Sequence, residues 1–404
     1  MEIDPSALEE IVAMTADTLA VSNSYHFRVP PTTLVGDGIS VNIGEYLRGL
    51  DSHKVFIVTD QQIMRLGLMK PMLRSLRRRQ VDFQVFADVL PDPTDQVVRK
   101  GIAALTACGC DTVLTFGGGS VIDAGKAMAV FCANSLDRSQ AVTNASRLAP
   151  RLKLVAVPTT AGTGSEVTDI TVITDQQTQI KVPHQHEYFI PDMAVIDPTL
   201  TLGIPPAITA STGMDVLTHA VESYLARGVC TLGQALSYSA IQLVAAYLPL
   251  AVGNGQDLYA RHKLAEASYM AGMSFSNAGL GVCHAIAHQI GARYKVAHGV
   301  ANALILPEVM QFNMLVRQDS LRDIARAFML HIELLDNKAA AQRSNEAVRD
   351  LRAAIGLPAR LQQIGAIPDD FALMANQALE DPTIRTNPRQ VSHKDIVEIL
   401  QRSY

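Results

Sequence analysis

The chain has little cysteine, no tryptophan, no excess of positive charge and no apolar run of membrane-spanning length. Each shortage narrows what it can be. Five cysteines stand in 404 residues, at Cys108, Cys110, Cys132, Cys230 and Cys283. They are few, odd in number and scattered, which argues against a disulfide framework and for a reducing compartment. Cys108-Gly109-Cys110 has one residue between its thiols, not the two of the usual redox or metal motif, and its cysteines read as structural. A formal net charge of -5 offers no basic footprint for nucleic acid. No uninterrupted apolar stretch reaches the ~20 residues of a membrane span. The opening Met1-Glu2-Ile3-Asp4 is acidic and no apolar signal region follows it, so a cytoplasmic protein is expected.

What is present describes a packed globular protein, 48% hydrophobic and 18% charged. A single core rarely exceeds about 250–300 residues, so two domains are expected. Residues 4–20 form an amphipathic pattern, with Leu8, Ile11, Val12 and Leu19 on one face behind Asp4 and Pro5. Such a face packs on its own domain or docks on a partner or an assembly shell. From about residue 30 to 197, short apolar runs alternate with helical stretches. The runs are Val55–Thr59, Val81–Phe86, Thr112–Phe116, Leu154–Val157, Ile170–Ile173 and Met193–Ile196. This pattern predicts a doubly wound α/β sheet. Beyond Asp197-Pro198, strand-like runs nearly vanish and long stretches rich in Ala, Leu and Met follow, at 207–226, 232–252 and 257–278. The expected division is an N-terminal extension 1–27, a dinucleotide-binding α/β domain 28–200 and an all-helical domain 201–404.

Two loops at strand ends suit a phosphate-bearing ligand. Gly117-Gly118-Gly119-Ser120 follows a strand and opens a helix, so its backbone can approach a pyrophosphate at a helix N-terminus. The strict G-x-G-x-x-G fingerprint is absent, because Ile122 occupies the third glycine position. Gly125-Lys126 does not make an ATP loop, since its spacing from Gly119 is one residue too long and Ala127 replaces the magnesium-binding hydroxyl. Pro158–Glu166 likewise follows a strand and is dense in hydroxyls and glycines that can bond phosphate, ribose or carboxamide. Without a ligand these would be a tight turn and a polar loop; together in one α/β unit they favour a cofactor crevice. Asp60 ends the strand Val55–Thr59, where an acid can accept from both adenosine ribose hydroxyls and repel a 2′-phosphate, favouring NAD over NADP. It can also cap the helix that follows.

The densest chemistry lies in the helical half. Asp215 and His219 are four residues apart, as are His284 and His288, and helical spacing puts each pair on one face. His298 follows after a short turn. The neighbours are mostly small and apolar, so these polar groups need partners. Carboxylate with imidazole and no thiolate suits divalent iron or zinc rather than a closed structural zinc site. His262, flanked by Arg261 and Lys263, reads as a surface residue. A cation at the inner face of the helical domain would polarise an alcohol oxygen, a nicotinamide in the crevice would exchange hydride, and a histidine outside the ligand set would relay the proton.

In order along the chain, these motifs resemble the iron-containing (group III) alcohol dehydrogenase family. They are Pro91–Thr94, Gly117–Lys126, Pro158–Glu166, Asp197-Pro198, Gly213–Ala220, His284–Ala292 and His298–Asn302. The similarity runs from about Val29 to the end of the chain. It implies an α/β Rossmann-like dinucleotide-binding domain followed by an all-α metal-binding domain, with Asp215, His219, His284 and His298 as ligands of iron(II), or of zinc. It implies that His288 relays a proton or orients substrate, and that Gly118, Gly119 and Ser120 hold pyrophosphate. Thr159, Thr160 and Thr163 would line the NAD(H) site, which Asp123 and Lys181 would also face. The implied activity is metal-dependent hydride transfer between NAD(H) and a small primary alcohol or aldehyde, with a polyol dehydrogenase as the neighbouring possibility. A non-catalytic scaffold would have lost a ligand or the glycine loop, and neither is lost. His184 and His186, outside the pattern, read as surface residues. Gln289 stands where the family commonly has proline, which bears on the placement of His288. The wording of 158–174 and 269–305 is most similar to the ethanolamine- and diol-utilisation branch, which is associated with protein microcompartments. By that resemblance residues 4–20 would contact a shell, and a homodimer is expected.

Overall fold

The computed structural model describes residues 25–136, 141–143, 145–178 and 180–404; the segment 4–20 discussed above lies outside the described residues. In chain order the first part runs β1 (Thr32–Val35), α1 (Ile43–Gly49), β2 (Lys54–Val58), α2 (Gln61–Leu66), α3 (Lys70–Arg78), β3 (Asp82–Phe86), α4 (Asp95–Cys108), β4 (Thr112–Gly117), α5 (Gly119–Asn134), β5 (Lys153–Pro158), β6 (Ile170–Thr174), β7 (Lys181–Gln185) and β8 (Met193–Ile196). Six of these strands form one parallel sheet in the order β1-β8-β5-β4-β2-β3. The central strands are buried on both faces, which is why they read as continuous apolar runs. Phe56, Val58 and Val113 face a core shared with Val98, Leu105 and Met128. Val55, Ile57, Leu114 and Phe116 face another, with Ile43, Leu47, Met72 and Leu76. The chain leaves β2 for β3 on one side and returns to β4 on the other. Strand order therefore reverses between β2 and β4, and such a reversal opens a crevice at the strands' carboxyl ends.

The remaining pair, β6 and β7, departs from the expected sheet. It is a separate antiparallel hairpin, pinned to α5 rather than to β5. The fully buried Lys126 ammonium donates to the carbonyls of Thr168 (2.7 Å) and Ile170 (3.0 Å), and Asp123 accepts from the Val172 N–H at 3.0 Å. His184 on β7 and His186 just after it, expected at the surface, are buried. The His184 ring packs against Phe131 and Phe189, with centroids at 5.2 and 6.5 Å. Its Nδ1 accepts from the Val142 N–H at 3.1 Å, and burial pushes its pKa down to about 4. His186 accepts from the Tyr188 N–H at 3.1 Å. His262 is half-buried, 2.9 Å from Asp37 and 3.4 Å from Glu266. Cys108 and Cys110, read above as structural and outside any disulfide framework, are joined in a disulfide. The cause is local: α4 ends at Cys108, and Gly109 turns the chain back through the left-handed region at φ 61°.

The second part is helical: α6 (Pro206–Leu225), α7 (Thr231–Gly253), α8 (Leu258–Ala278), α9 (Val282–Tyr294), α10 (His298–Asn313), α11 (Gln318–Ala327), α12 (Asn337–Ala354), α13 (Phe371–Glu380) and α14 (His393–Ser403). Pro206 occupies the first turn of α6, where its missing N–H costs nothing. From Gly213 to Leu225 every residue of α6 is buried, because α7, α8 and α10 surround it. A Cβ at Gly213 would come within 2.2 Å of Leu248, so glycine is what lets α7 approach. By length and composition α7 would suit a membrane span. Here Ala240, Ile241, Val244 and Leu248 join the helical core instead.

Candidate metal centre and cofactor cleft

The helical packing gathers side chains from three helices at one point. Asp215 lies on the buried helix α6, His284 near the start of α9, and His298 is the first residue of α10. Ligand atoms of these three all lie within 4.8 Å of one another. Nε2 of His298 is 3.5 Å, of His284 3.8 Å and of His219 4.0 Å from Asp215 Oδ1. His219 stands at the side of the group. Its ring stacks flat on His284 (4.7 Å, 14°) and on Phe275 of α8 (4.3 Å, 23°). His288 is one turn along α9 from His284; its ring stacks on His298 at 5.2 Å, and its Nδ1 lies 2.7 Å from Asp381.

The electrostatics follow from burial. Desolvation pushes the pKa of His219 and His284 down to about 3 each, so both are neutral imidazoles with a free lone pair. His298, 39% exposed toward the cleft, is also held well below the usual range by desolvation, then by His288, His284 and Lys181. Burial raises the Asp215 carboxyl, against the opposing pull of His219 and Asn302.

The donor set fits a divalent cation. Each ring nitrogen is too far from Asp215 Oδ1 to hydrogen-bond to it, yet close enough to share an ion with it. A cation held at ~2.1 Å by each donor spaces its ligand atoms by about 3.0–3.4 Å, near the observed 3.5–4.0 Å. Neutral imidazole with carboxylate is a set that iron(II) and zinc accept.

Two buried residues that the sequence did not single out complete the surroundings. Asn302, one turn into α10, places Nδ2 at 2.8 Å from Asp215 Oδ1 and 3.2–3.3 Å from the Nε2 atoms of His298 and His284. Glu222 on α6 lies 2.5 Å from His284 Nδ1. Burial pushes the Glu222 pKa up to about 7, against bonds from the backbone of Cys283, His284 and Gly281. Their signal was available only as spacing. Glu222 is one heptad beyond Asp215, and Asn302 is four residues beyond His298, so each shares a helix face with a singled-out residue.

The two hydroxyl- and glycine-rich loops meet at the carboxyl end of the sheet. Gly118 caps α5, and its missing Cβ would stand 3.5 Å from Thr160. A Cβ on Gly119 would lie 2.7 Å from Thr163, and one on Gly117 would lie 2.7 Å from Val121. Ser120 is in the first turn of α5, and Thr159 is buried at the end of β5, its N–H bonded to the Gly117 carbonyl at 2.9 Å. The second loop also reaches the helical half. Gly162 abuts Thr212, one turn before Asp215, and Gly164, at φ 64°, abuts Gly272 and Phe275. Phe275 is the residue stacked on His219, so the second glycine loop lies against the histidine cluster. Asp60 follows β2 at the switch point and caps α2, accepting from the Ile63 N–H at 2.8 Å. Asp123 is occupied by β6, its Oδ2 accepting from the Val172 N–H. Lys181 on β7 pairs with Asp92 at 2.6 Å, and its charge reaches both Asp123 and His298. Gln289 does not end α9, which continues to Tyr294 with the Gln289 amide bonded to the Ala285 carbonyl.

Comparison with known proteins gives a consistent picture. Residues 30–198 match the family model described as iron-containing alcohol dehydrogenase, and residues 209–404 match that of the Fe-containing alcohol dehydrogenase family, C-terminal. The "Probable alcohol dehydrogenase EutG" of Salmonella typhimurium (strain LT2) is 40% identical over 392 residues, 97% of this chain and 98% of that protein. The NAD-dependent methanol dehydrogenase of Bacillus methanolicus is 35% identical, over 94% of this chain and 99% of its own. Among solved structures, a 1,3-propanediol oxidoreductase superposes with a TM-score of 0.92 at 36% identity, covering 95% of this chain and 100% of its own.

Proposed function

The chain belongs to the iron-containing alcohol dehydrogenase family, and from that premise we propose how its own residues divide the work. The activity is NAD-dependent oxidoreduction of an alcohol and its aldehyde. The carrying observation is the convergence of Asp215, His284 and His298 within 4.8 Å, in a cleft bordered by two glycine-rich loops. When bound, the divalent ion supplies Lewis acidity toward an alcohol or carbonyl oxygen, and the nicotinamide gives or takes hydride. Asp215, His219, His284 and His298 hold the ion. Gly117, Gly118, Gly119 and Ser120 hold the pyrophosphate, while Thr159, Thr160 and Thr163 line the cofactor. Asp60 receives the adenosine ribose, and Asp123 and Lys181 border the nicotinamide end. His288 moves the proton between the substrate oxygen and solvent, with its ring held by Asp381.

Residues 28–200 serve as the dinucleotide-binding domain and 201–404 as the metal-binding domain, behind an extension 1–27. The enzyme is a homodimer of the bacterial cytoplasm or of a protein microcompartment, with residues 4–20 contacting the shell. Support comes from the 40% and 39% identity to the EutG proteins of two bacteria and from the amphipathic pattern of 4–20. Deletion of residues 1–20 with no change in shell association would remove this part of the reading.

The test of the activity is to strip the metal, reload iron or zinc without oxygen, and follow NADH with acetaldehyde, propanal and butanal. Metal-dependent NADH oxidation with short aldehydes is expected, and inactivity with every metal and aldehyde overturns the assignment. A diol-type substrate is the second reading. It is favoured by the 1,3-propanediol dehydrogenases of Citrobacter freundii and Klebsiella pneumoniae at 37% and 36% identity, and 3-hydroxypropanal distinguishes it.

A further inference from the structure

Glu222 is an interior carboxylate to which the proposed activity assigns no task. It follows Asp215 and His219 along α6 at a spacing that keeps all three on one helix face. Its Oε2 lies 2.5 Å from Nδ1 of His284, while Nε2 of the same ring faces Asp215. The carboxylate also accepts from the Cys283 N–H at 2.7 Å and the His284 N–H at 3.3 Å. It thus receives the first turn of α9, where backbone N–H groups lack helical partners. Gly281 is what admits it: a Cβ there would come 2.6 Å from Glu222 Oε1 and 2.9 Å from Asn387 Oδ1.

We propose that Glu222 is a positioning residue of the metal centre, accepting the Nδ1–H of His284 so that Nε2 keeps its lone pair and its aim, and thereby setting how tightly the divalent ion is held. The inference rests on the metal-centre reading above. Three consequences of the geometry support it. Acceptance at Nδ1 leaves one tautomer, the one whose Nε2 can donate to an ion. The residue is held at two points, because Glu222 Oε2 meets both the ring Nδ1 and the main-chain N–H of His284. Lastly, Asp215 and Glu222 bring two buried carboxyl groups from one helix to the imidazole cluster, where a divalent ion would compensate charge that is costly to bury alone. One helix would then supply two ligands and the support of a third.

The experiment compares the full-length wild type with Glu222→Gln and Glu222→Asp. It reads zinc dissociation constants by competition with a chromophoric chelator, and the visible spectrum of the cobalt(II)-loaded proteins. Loss of an outer partner of a metal-bound histidine costs about 10–100-fold in metal affinity. Glu222→Gln should show that loss with a shifted cobalt spectrum, while NADH binding stays at the wild-type level as proof of folding. Glu222→Asp, which keeps the charge but withdraws it by one methylene, should fall between the two. Glu222→Gln with wild-type zinc affinity and cobalt spectrum overturns the proposal. If that variant does not fold, Glu222→Asp decides: a weaker zinc affinity supports the proposal and an unchanged one overturns it. A wild type that binds neither metal overturns the metal-centre reading, and this inference with it.

Discussion

Nδ1 of His288 lies 2.7 Å from Oδ2 of Asp381, a residue 93 positions further along the chain. Asp381 is itself held by the N–H and hydroxyl of Thr383, at 2.9 and 2.7 Å. The pair holds the ring by Nδ1, so that Nε2 is the nitrogen a proton relay would use. Burial raises the Asp381 pKa, but the His288 and Thr383 interactions outweigh it and bring it down to about 2. A carboxyl depressed in the folded state contributes stability above its unfolded pKa and loses it as pH falls through the folded one. The stability difference between metal-free wild type and Asp381→Asn should therefore be complete above about pH 4 and vanish toward about pH 2, read by denaturant titration. In the loaded enzyme Asp381→Asn should lower kcat by about tenfold to a hundredfold, less than the loss of the acid–base group itself, which contributes about 10²–10⁴-fold. Equal kcat in the two proteins would remove Asp381 from the relay.

A Cβ on Gly119 would stand 2.7 Å from Thr163 Cγ2 and 2.8 Å from its Oγ1. Gly119→Ala must therefore push the two loops apart where they would close on a bound dinucleotide. Overpacking of this kind costs about 1–3 kcal/mol, so the NADH dissociation constant should rise roughly tenfold or more. Zinc affinity should hold, because the three atoms nearest that Cβ all belong to Thr163. Unaltered NADH binding, measured by fluorescence, would mean that the loops do not cradle the dinucleotide.

Much of this arrangement was legible in the sequence, and what was missed has physical causes. Strands β2, β4, β5 and β8 are buried on both faces and appear as apolar runs. β1 was missed because it is a short edge strand with only part-buried or exposed residues. β7 was missed because Pro183 and alternating polar residues conceal it. The four-residue spacings of Asp215/His219 and His284/His288 make two helix faces visible, and His298 stands close by in sequence; the fold brings Asp215, His284 and His298 together. Glu222, Asn302 and Asp381 were not singled out, because each matters through a contact between distant segments. The same limit explains His184: nothing in its local sequence announces that Phe131 and Phe189 enclose it.

Removal of the metal should abolish turnover and destabilise the helical half without disturbing the sheet. Three helices meet at the site, and without an ion Asp215 keeps its bond from Asn302 and His284 its contact with Glu222, but the link between the helices through a shared ion is lost. An ion present at 100 times its dissociation constant stabilises the folded state by about 2.7 kcal/mol. Chelation should lower the unfolding midpoint accordingly, and added zinc or iron(II) should restore it. NADH binding should survive chelation. An unchanged midpoint together with full activity would show that no ion works in this cleft.

Asp60 holds two roles that one substitution can separate. Its Oδ1 caps α2 through the Ile63 N–H, and its position after β2, at the strand-order reversal, suits contact with an adenosine ribose. Asparagine caps a helix about as well as aspartate, whereas alanine costs about 0.5–2 kcal/mol. Asp60→Asn should therefore leave the unfolding midpoint close to wild type while removing the charge that repels a 2′-phosphate. The kcat/KM with NADPH should rise by about tenfold, an electrostatic relief of ~1.4 kcal/mol, and that with NADH should fall because the ribose loses its charged acceptor. Asp60→Ala should relax the cofactor preference similarly but also lose stability. If both variants keep the wild-type ratio of NADH to NADPH efficiency and only Asp60→Ala loses stability, Asp60 is a cap and nothing more, and the preference must be set by another group at the end of β2.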